Sequence, residues 1–224
     1  MIKHHPTTEL LQAFVGGELP ASMSAAVAMH NEMCPLCQTK VATMTELQAE
    51  DSFELPAVDN SRNEDDVLAG FDMEAMIGDI TASDETAFET EEVPVSITVK
   101  GKTYQLPRAM QHMPLGRWSN IGKLTRSRME LGEGELHSSL LQIDAGGSVP
   151  EHTHKGYEVT LLLDGSFKDE MGEYVKGDFI LLDASHKHQP VTEDGCLCFT
   201  VANDALHFTQ GINKLLNPFA NLIY

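Results

Sequence analysis

Apolar positions along this 224-residue chain follow two different periods. Up to about residue 80 they recur every three or four residues, the spacing of one helix face. Leu10, Leu11, Phe14 and Val15 follow the capping candidates Thr7 and Thr8, and Gly16-Gly17 ends that helix. Pro20, with Ser22 and Ser24, opens a second helix running through Met29 and His30. A third starts near Cys34-Pro35, since proline is tolerated in a first helical turn, and continues through Val41, Met44 and Leu47. Residues 51–62 are acidic and contain a proline, so they read as a loop. A fourth amphipathic helix is expected from about Asp65 to Ile80, with Val67, Leu68, Phe71, Ala75 and Met76 as its apolar stripe. Residues 83–94 are acidic and without period, and read as a linker. From Val95 onward the runs become short, alternating or apolar, and punctuated by glycine: VSITVKGKTYQL, GKLTRSRMELG, LHSSLLQIDAGG, YEVTLLLDGSF, GDFILLDA and CLCFTVA. Many short strands with frequent turns predict an antiparallel barrel or sandwich. The chain therefore reads as a two-domain α + β protein: a helical domain over 1–82, a linker over 83–94 and a β-barrel over 95–224.

Charge sharpens this division. The formal net charge is −19, and residues 1–94 hold 19 of the 34 acidic residues but only 3 of the 15 basic ones. Such a helical half repels nucleic-acid phosphates, which argues against direct nucleic-acid binding. It attracts a basic protein partner and speeds the encounter with it. No apolar run approaches the roughly 20 residues that span a bilayer, and no secretory leader follows Lys3, so a cytoplasmic protein without membrane contact is expected. The four cysteines form two close pairs, Cys34/Cys37 and Cys196/Cys198. In a reducing compartment such pairs suggest metal ligation or redox chemistry before structural disulfides.

The barrel half carries the stronger chemical signal. His152 and His154 are two residues apart, so in a strand both imidazoles share a face. Glu158 follows past Gly156, and His188 arrives from a later strand. Three nitrogens and one carboxylate oxygen suit zinc, iron, manganese or nickel and leave room for a water or a ligand. The pattern resembles the cupin motif G-x5-H-x-H-x3-E-x6-G, met here by Gly146, His152, His154, Glu158 and Gly165. The second cupin motif is partial: Gly177 and His188 keep their spacing, while Asp183, Ser185 and Thr192 replace its proline, glycine and asparagine. Cys196 and Cys198 share a strand face and read either as core thiols or as a redox-responsive pair.

A second cluster lies in the helical half, as His30-x3-Cys34-x2-Cys37. Helical spacing lets the end of one helix and the start of the next converge on one ion. The thiols sit near a helix N-terminus, where the dipole is expected to lower their pKa and favour thiolate. His4 and His5 are the candidates for a fourth ligand, completing a closed His2Cys2 site of the structural zinc type.

The two halves together resemble the ChrR family of zinc-binding anti-sigma factors. The features that carry this are the early HH, H-x3-C-x2-C, the acidic fourth helix and the linker after it, VPEHTHKGYEVTL and the final KLLNPFA. The resemblance implies a four-helix anti-sigma domain whose zinc is held by His5, His30, Cys34 and Cys37. It also implies a cupin domain whose metal, zinc by preference, is held by His152, His154, Glu158 and His188. A protein of this family sequesters an extracytoplasmic-function-type sigma factor and releases it on an oxidative signal such as singlet oxygen, without being an enzyme. The barrel leaves space for a small-molecule ligand. The competing reading is a metal-dependent cupin enzyme of the dioxygenase or isomerase type.

Overall fold

The computed structural model describes residues 1–54, 72–82, 95–204 and 206–209. Thr7 caps the first helix, α1 (Thr8–Val15), its hydroxyl accepting from the Leu10 N–H, and Gly16 closes it on the Gln12 carbonyl. Helix α2 (Ala21–Met33) buries Met23, Ala26, Val27, Met29 and His30. It ends at Cys34 because Pro35 forces the preceding residue out of the helical region (φ −118°, ψ 100°) and itself starts α3 (Pro35–Glu54). Helix α3 continues through 51–54, where the acidic sequence predicted a loop, because nothing before Pro56 interrupts its backbone hydrogen bonds. The rest of the expected loop, residues 65–71 of the expected fourth helix and the linker over 83–94 lie outside the described residues.

The chain divides into two compact units, Met1–Gln48 with Pro94–Tyr224, and Ala49–Val93. The second unit contains α4 (Met73–Ala82), whose Ala75 N–H is capped by the Asp72 carboxylate at 2.9 Å. Met73, Met76, Ile77 and Ile80 are all exposed on α4.

In the first unit β1 (Val95–Val99) and β2 (Lys102–Leu106) form a hairpin. Its two turn residues, Lys100 and Gly101, both have positive φ (49° and 82°), matching the right-handed strand twist. The main sheet has the order β3 (Leu115–Ile121), β4 (Leu124–Met129), β5 (His137–Ile143), β11 (Cys196–Ala202), β7 (Tyr157–Lys168), β8 (Glu173–Val175). Strand β9 (Phe179–Asp183) also pairs with β7. A smaller sheet has the order β10 (Lys187–His188), β6 (His152–His154), β12 (Leu206–Phe208). These sheets form a cupin fold. Gly165 permits the bend of β7: its φ is 76°, and an added Cβ would lie 2.1 Å from the Gly195 carbonyl oxygen.

One face of the main sheet shares a hydrophobic core with α1 and α2, in which Leu11, Met23, Ala26, Val27 and Met29 join Leu140, Val159, Leu161, Phe199 and Val201. The other face holds a second core of Ile143, Val149, Leu162, Phe167, Tyr174, Ile180, Leu182, Cys196 and Cys198. Helix α2 has no cap of its own at Pro20; both carboxylate oxygens of Glu133 take the Ser22 N–H, at 3.1 and 3.2 Å. An anion there offsets the positive end of the helix dipole.

Candidate metal centres

The N-terminal cluster comes from three places. The arm before α1 supplies His5, α2 supplies His30, and the break between α2 and α3 supplies Cys34, with Cys37 one turn into α3. The His5 Nδ1, His30 Nε2, Cys34 Sγ and Cys37 Sγ atoms lie within 4.8 Å of one another. The His5 Nδ1 is 3.4 Å from Cys34 Sγ and 3.5 Å from Cys37 Sγ, and His30 Nε2 is 3.3 Å from Cys37 Sγ. His4 turns away, its ring lying 4.8 Å from that of Tyr174. The His30 Nδ1–H donates to the Gly177 carbonyl at 2.7 Å, which leaves the Nε2 lone pair facing the thiols.

Electrostatics corrects one expectation here. The helix N-terminus was to lower the thiol pKa values; instead burial, with Cys34 beside it, pushes the Cys37 thiol up to about 11. Cys37 is fully inaccessible, and desolvation of the thiolate outweighs a dipole worth about 1 kcal/mol. Burial also lowers the pKa of His30. The pocket thus disfavours its own charged forms, a cost that a cation bound to both thiolates would offset.

The barrel cluster is built by strand periodicity. His152 and His154 lie on one face of β6, Glu158 is on β7 and His188 on β10, where it pairs directly with His152. All four are buried. The His152 Nδ1 faces the Pro150 carbonyl at 2.8 Å and the His188 Nδ1 faces the Asp169 carboxylate at 3.2 Å. With protons on those nitrogens, the two Nε2 lone pairs point at each other across 2.9 Å. His154 Nε2 lies 2.8 Å from a Glu158 oxygen without hydrogen-bond geometry, and neither of its ring nitrogens has a hydrogen-bond partner. Converging lone pairs beside a carboxylate fit a divalent cation, so this donor set suits a metal ion. Burial, then the neighbouring His188, push the His152 pKa down to about 4, keeping it a neutral donor.

A cavity of about 50 Å³ opens beside these ligands, lined also by Leu141, Ile180, Thr200 and Cys198. Cys196 packs in the same core as Cys198, and the hydrogen bond that the Cys198 thiol donates to Cys196, together with full burial, pushes the Cys198 thiol well up. Sequence reading missed Asp169, which faces His188, Asp178, which holds the arm at Lys3 and His4, and Glu133, which caps α2; each lies far along the chain from the group it holds, so spacing gives no signal of it. His186 bonds to Asp183 at 2.8 Å and lies outside the cluster.

No described helix is long and apolar enough to cross a membrane. Residues 108–205 match the family described as the ChrR cupin-like domain. The anti-sigma-E factor ChrR of Cereibacter sphaeroides is 27% identical over 220 residues, covering 97% of this chain and 98% of that protein. The crystal structure of Rhodobacter sphaeroides SigE in complex with the anti-sigma ChrR shares the fold, with a TM-score of 0.66 and 24% identity over 90% of this chain and 99% of that one. Residues 108–205 thus match the ChrR cupin-like domain model, and the whole chain is similar to the anti-sigma-E factor ChrR along nearly its full length.

Proposed function

We propose that this protein is an anti-sigma factor. Its acidic helical part holds an extracytoplasmic-function-type sigma factor, and the cupin barrel serves release of that subunit on an oxidative signal. The observation that carries the reading is the full-length similarity to an anti-sigma-E factor, with both ligand clusters assembled at once. The charge distribution supports it, since a sigma factor presents basic surfaces for DNA and polymerase that an acidic clamp complements.

Zinc is the proposed ion of His5, His30, Cys34 and Cys37, a closed thiolate-rich set that leaves no open position. It would staple the arm, α2 and α3 together. Zinc is also proposed for His152, His154, Glu158 and His188, where iron, manganese or nickel satisfy the same donors. Such an ion supplies a Lewis-acid position that a small ligand or oxidant could occupy. The adjoining cavity of about 50 Å³ is far below the several hundred Å³ of an ordinary substrate pocket, which favours a sensor over a cupin enzyme. A cytoplasmic location follows from such a partner.

Co-expression with the extracytoplasmic-function-type sigma factors of the source organism, followed by affinity capture, tests the reading. A stable 1:1 complex that retains no core polymerase is expected, and His152→Ala should leave it intact while blunting release by singlet oxygen. Absence of a complex with every such sigma factor overturns the anti-sigma assignment.

A further inference from the structure

The segment between Asp169 and Asp178 touches both clusters. At one end the Asp169 carboxylate accepts from His188 Nδ1–H at 3.2 Å and from the Met171 and Gly172 N–H groups at 2.8 and 3.1 Å. Tyr174 is nearly inaccessible, and its ring lies against that of His4, next to the N-terminal ligand His5. At the other end, fully buried Asp178 accepts from the Lys3 and His4 N–H groups at 2.7 and 3.0 Å with one oxygen. Its other oxygen accepts from the Val175 N–H at 2.8 Å. The Phe179 N–H donates to the His4 carbonyl at 3.0 Å. Gly177 gives its carbonyl to His30 and packs directly under Ile2, so closely that an added Cβ would lie 2.4 Å from the Ile2 Cδ1.

We propose that the meander from Asp169 to Asp178 mechanically links the two metal centres, so that the state of the barrel centre sets how firmly the N-terminal centre holds its ion. Two independent features meet in it. Among the described hydrogen bonds, those that hold the backbone of the arm bearing His5, and the one from His30 to the Gly177 carbonyl, are made by residues 177–179, and the His4 ring packs on Tyr174. The only carboxylate that orients His188 among the described hydrogen bonds sits at the start of the same ten residues. An ion on the opposite nitrogen of His188 makes its Nδ1–H a stronger donor to Asp169. Asp169 divides itself between that donor and the Met171 and Gly172 N–H groups, so a change at His188 reaches the turn that leads into Tyr174, whose ring packs on His4. Buried Asp178 cannot release the arm without leaving its carboxylate short of donors, so the arm and the meander shift together. Coupling of this kind is reciprocal: loosening the arm must also weaken the barrel centre.

The inference rests on both clusters holding metal, and cobalt separates the two questions. In the full chain loaded with cobalt, a thiolate charge-transfer band reports only the cluster containing Cys34 and Cys37. Its rate of loss to a chelator is compared in four proteins: wild type, His152→Ala, Tyr174→Leu and the double variant. His152→Ala is chosen because it empties the barrel centre without touching the bond between His188 and Asp169. Each single change is expected to speed loss about fivefold or more, and the double variant to be no faster than the faster single within about twofold. An unchanged rate in His152→Ala, or effects that multiply in the double variant, would overturn the link. The same cycle with Asp169→Asn in place of Tyr174→Leu must show the same non-additivity, which keeps the test decisive if one variant folds poorly. Failure of the thiolate band to form in wild type would instead overturn the assignment of the N-terminal centre itself, and the link with it.

Discussion

The two clusters have four candidate ligand residues each and are assembled in opposite ways. In the barrel, neighbouring strands fix His152, His154, Glu158 and His188 through backbone pairing. That pairing holds whatever the side chains bind. In the N-terminal cluster, an arm, a helix end and a helix start meet at two buried thiols, and burial raises the pKa of Cys37. The difference teaches that equal ligand counts do not imply equal dependence on an ion. A sheet preorganises its ligands, whereas helix ends brought together around desolvated thiols need a cation to justify the arrangement.

The largest effect that would sharpen this contrast is Cys37→Ala. The reading predicts loss of one metal per chain and a weakening of the sigma complex by about a thousandfold or more, since removal of a structural zinc withdraws on the order of 10 kcal/mol of binding free energy from folding. Calorimetry with parallel metal analysis checks it, and unchanged partner affinity would break the comparison. A change of pH should separate the centres next. A thiol with a pKa near 11 must give up its proton to bind metal, so N-terminal affinity falls as pH falls, by about tenfold per unit for Cys37 alone and about a hundredfold from pH 8 to 6. His152, with its pKa near 4, is already neutral over that range and imposes no such slope on the barrel. Competition titrations at several pH values read both slopes. Third, Asp169→Asn should lower barrel metal affinity about tenfold by weakening the acceptor that orients His188, measurable by chelator competition. The smallest effect belongs to Glu133→Ala, which uncaps α2 and should cost about 1 kcal/mol in a thermal or denaturant melt while leaving metal content at wild-type level.

Much of this was legible in the chain. Helical spacing located α1, α2 and the start of α3, and alternating runs located the barrel strands. Motif spacing named seven of the eight residues that the fold brings into two groups, and the family resemblance supplied His5. The choice of His5 over His4 was not readable from spacing, because it depends on Tyr174 occupying the neighbouring ring's place. The extension of α3 through 51–54 was missed because acidic composition resembles a loop when no breaker is present. The rise of the Cys37 pKa was missed because a dipole is visible in sequence and burial is not. Asp169, Asp178 and Glu133 act on partners 19, 174 and 111 residues away, separations at which no local pattern survives.

The shared core between α2 and the main sheet has a practical consequence for anyone who dissects this protein. A fragment stopping at residue 82 would present Met23, Ala26, Val27 and Met29 to water as a bare strip, where the intact chain tucks them under Phe199 and Val201. Its solubility and its appetite for companions would then reflect that strip, so only whole-chain measurements report what the acidic surface recognises.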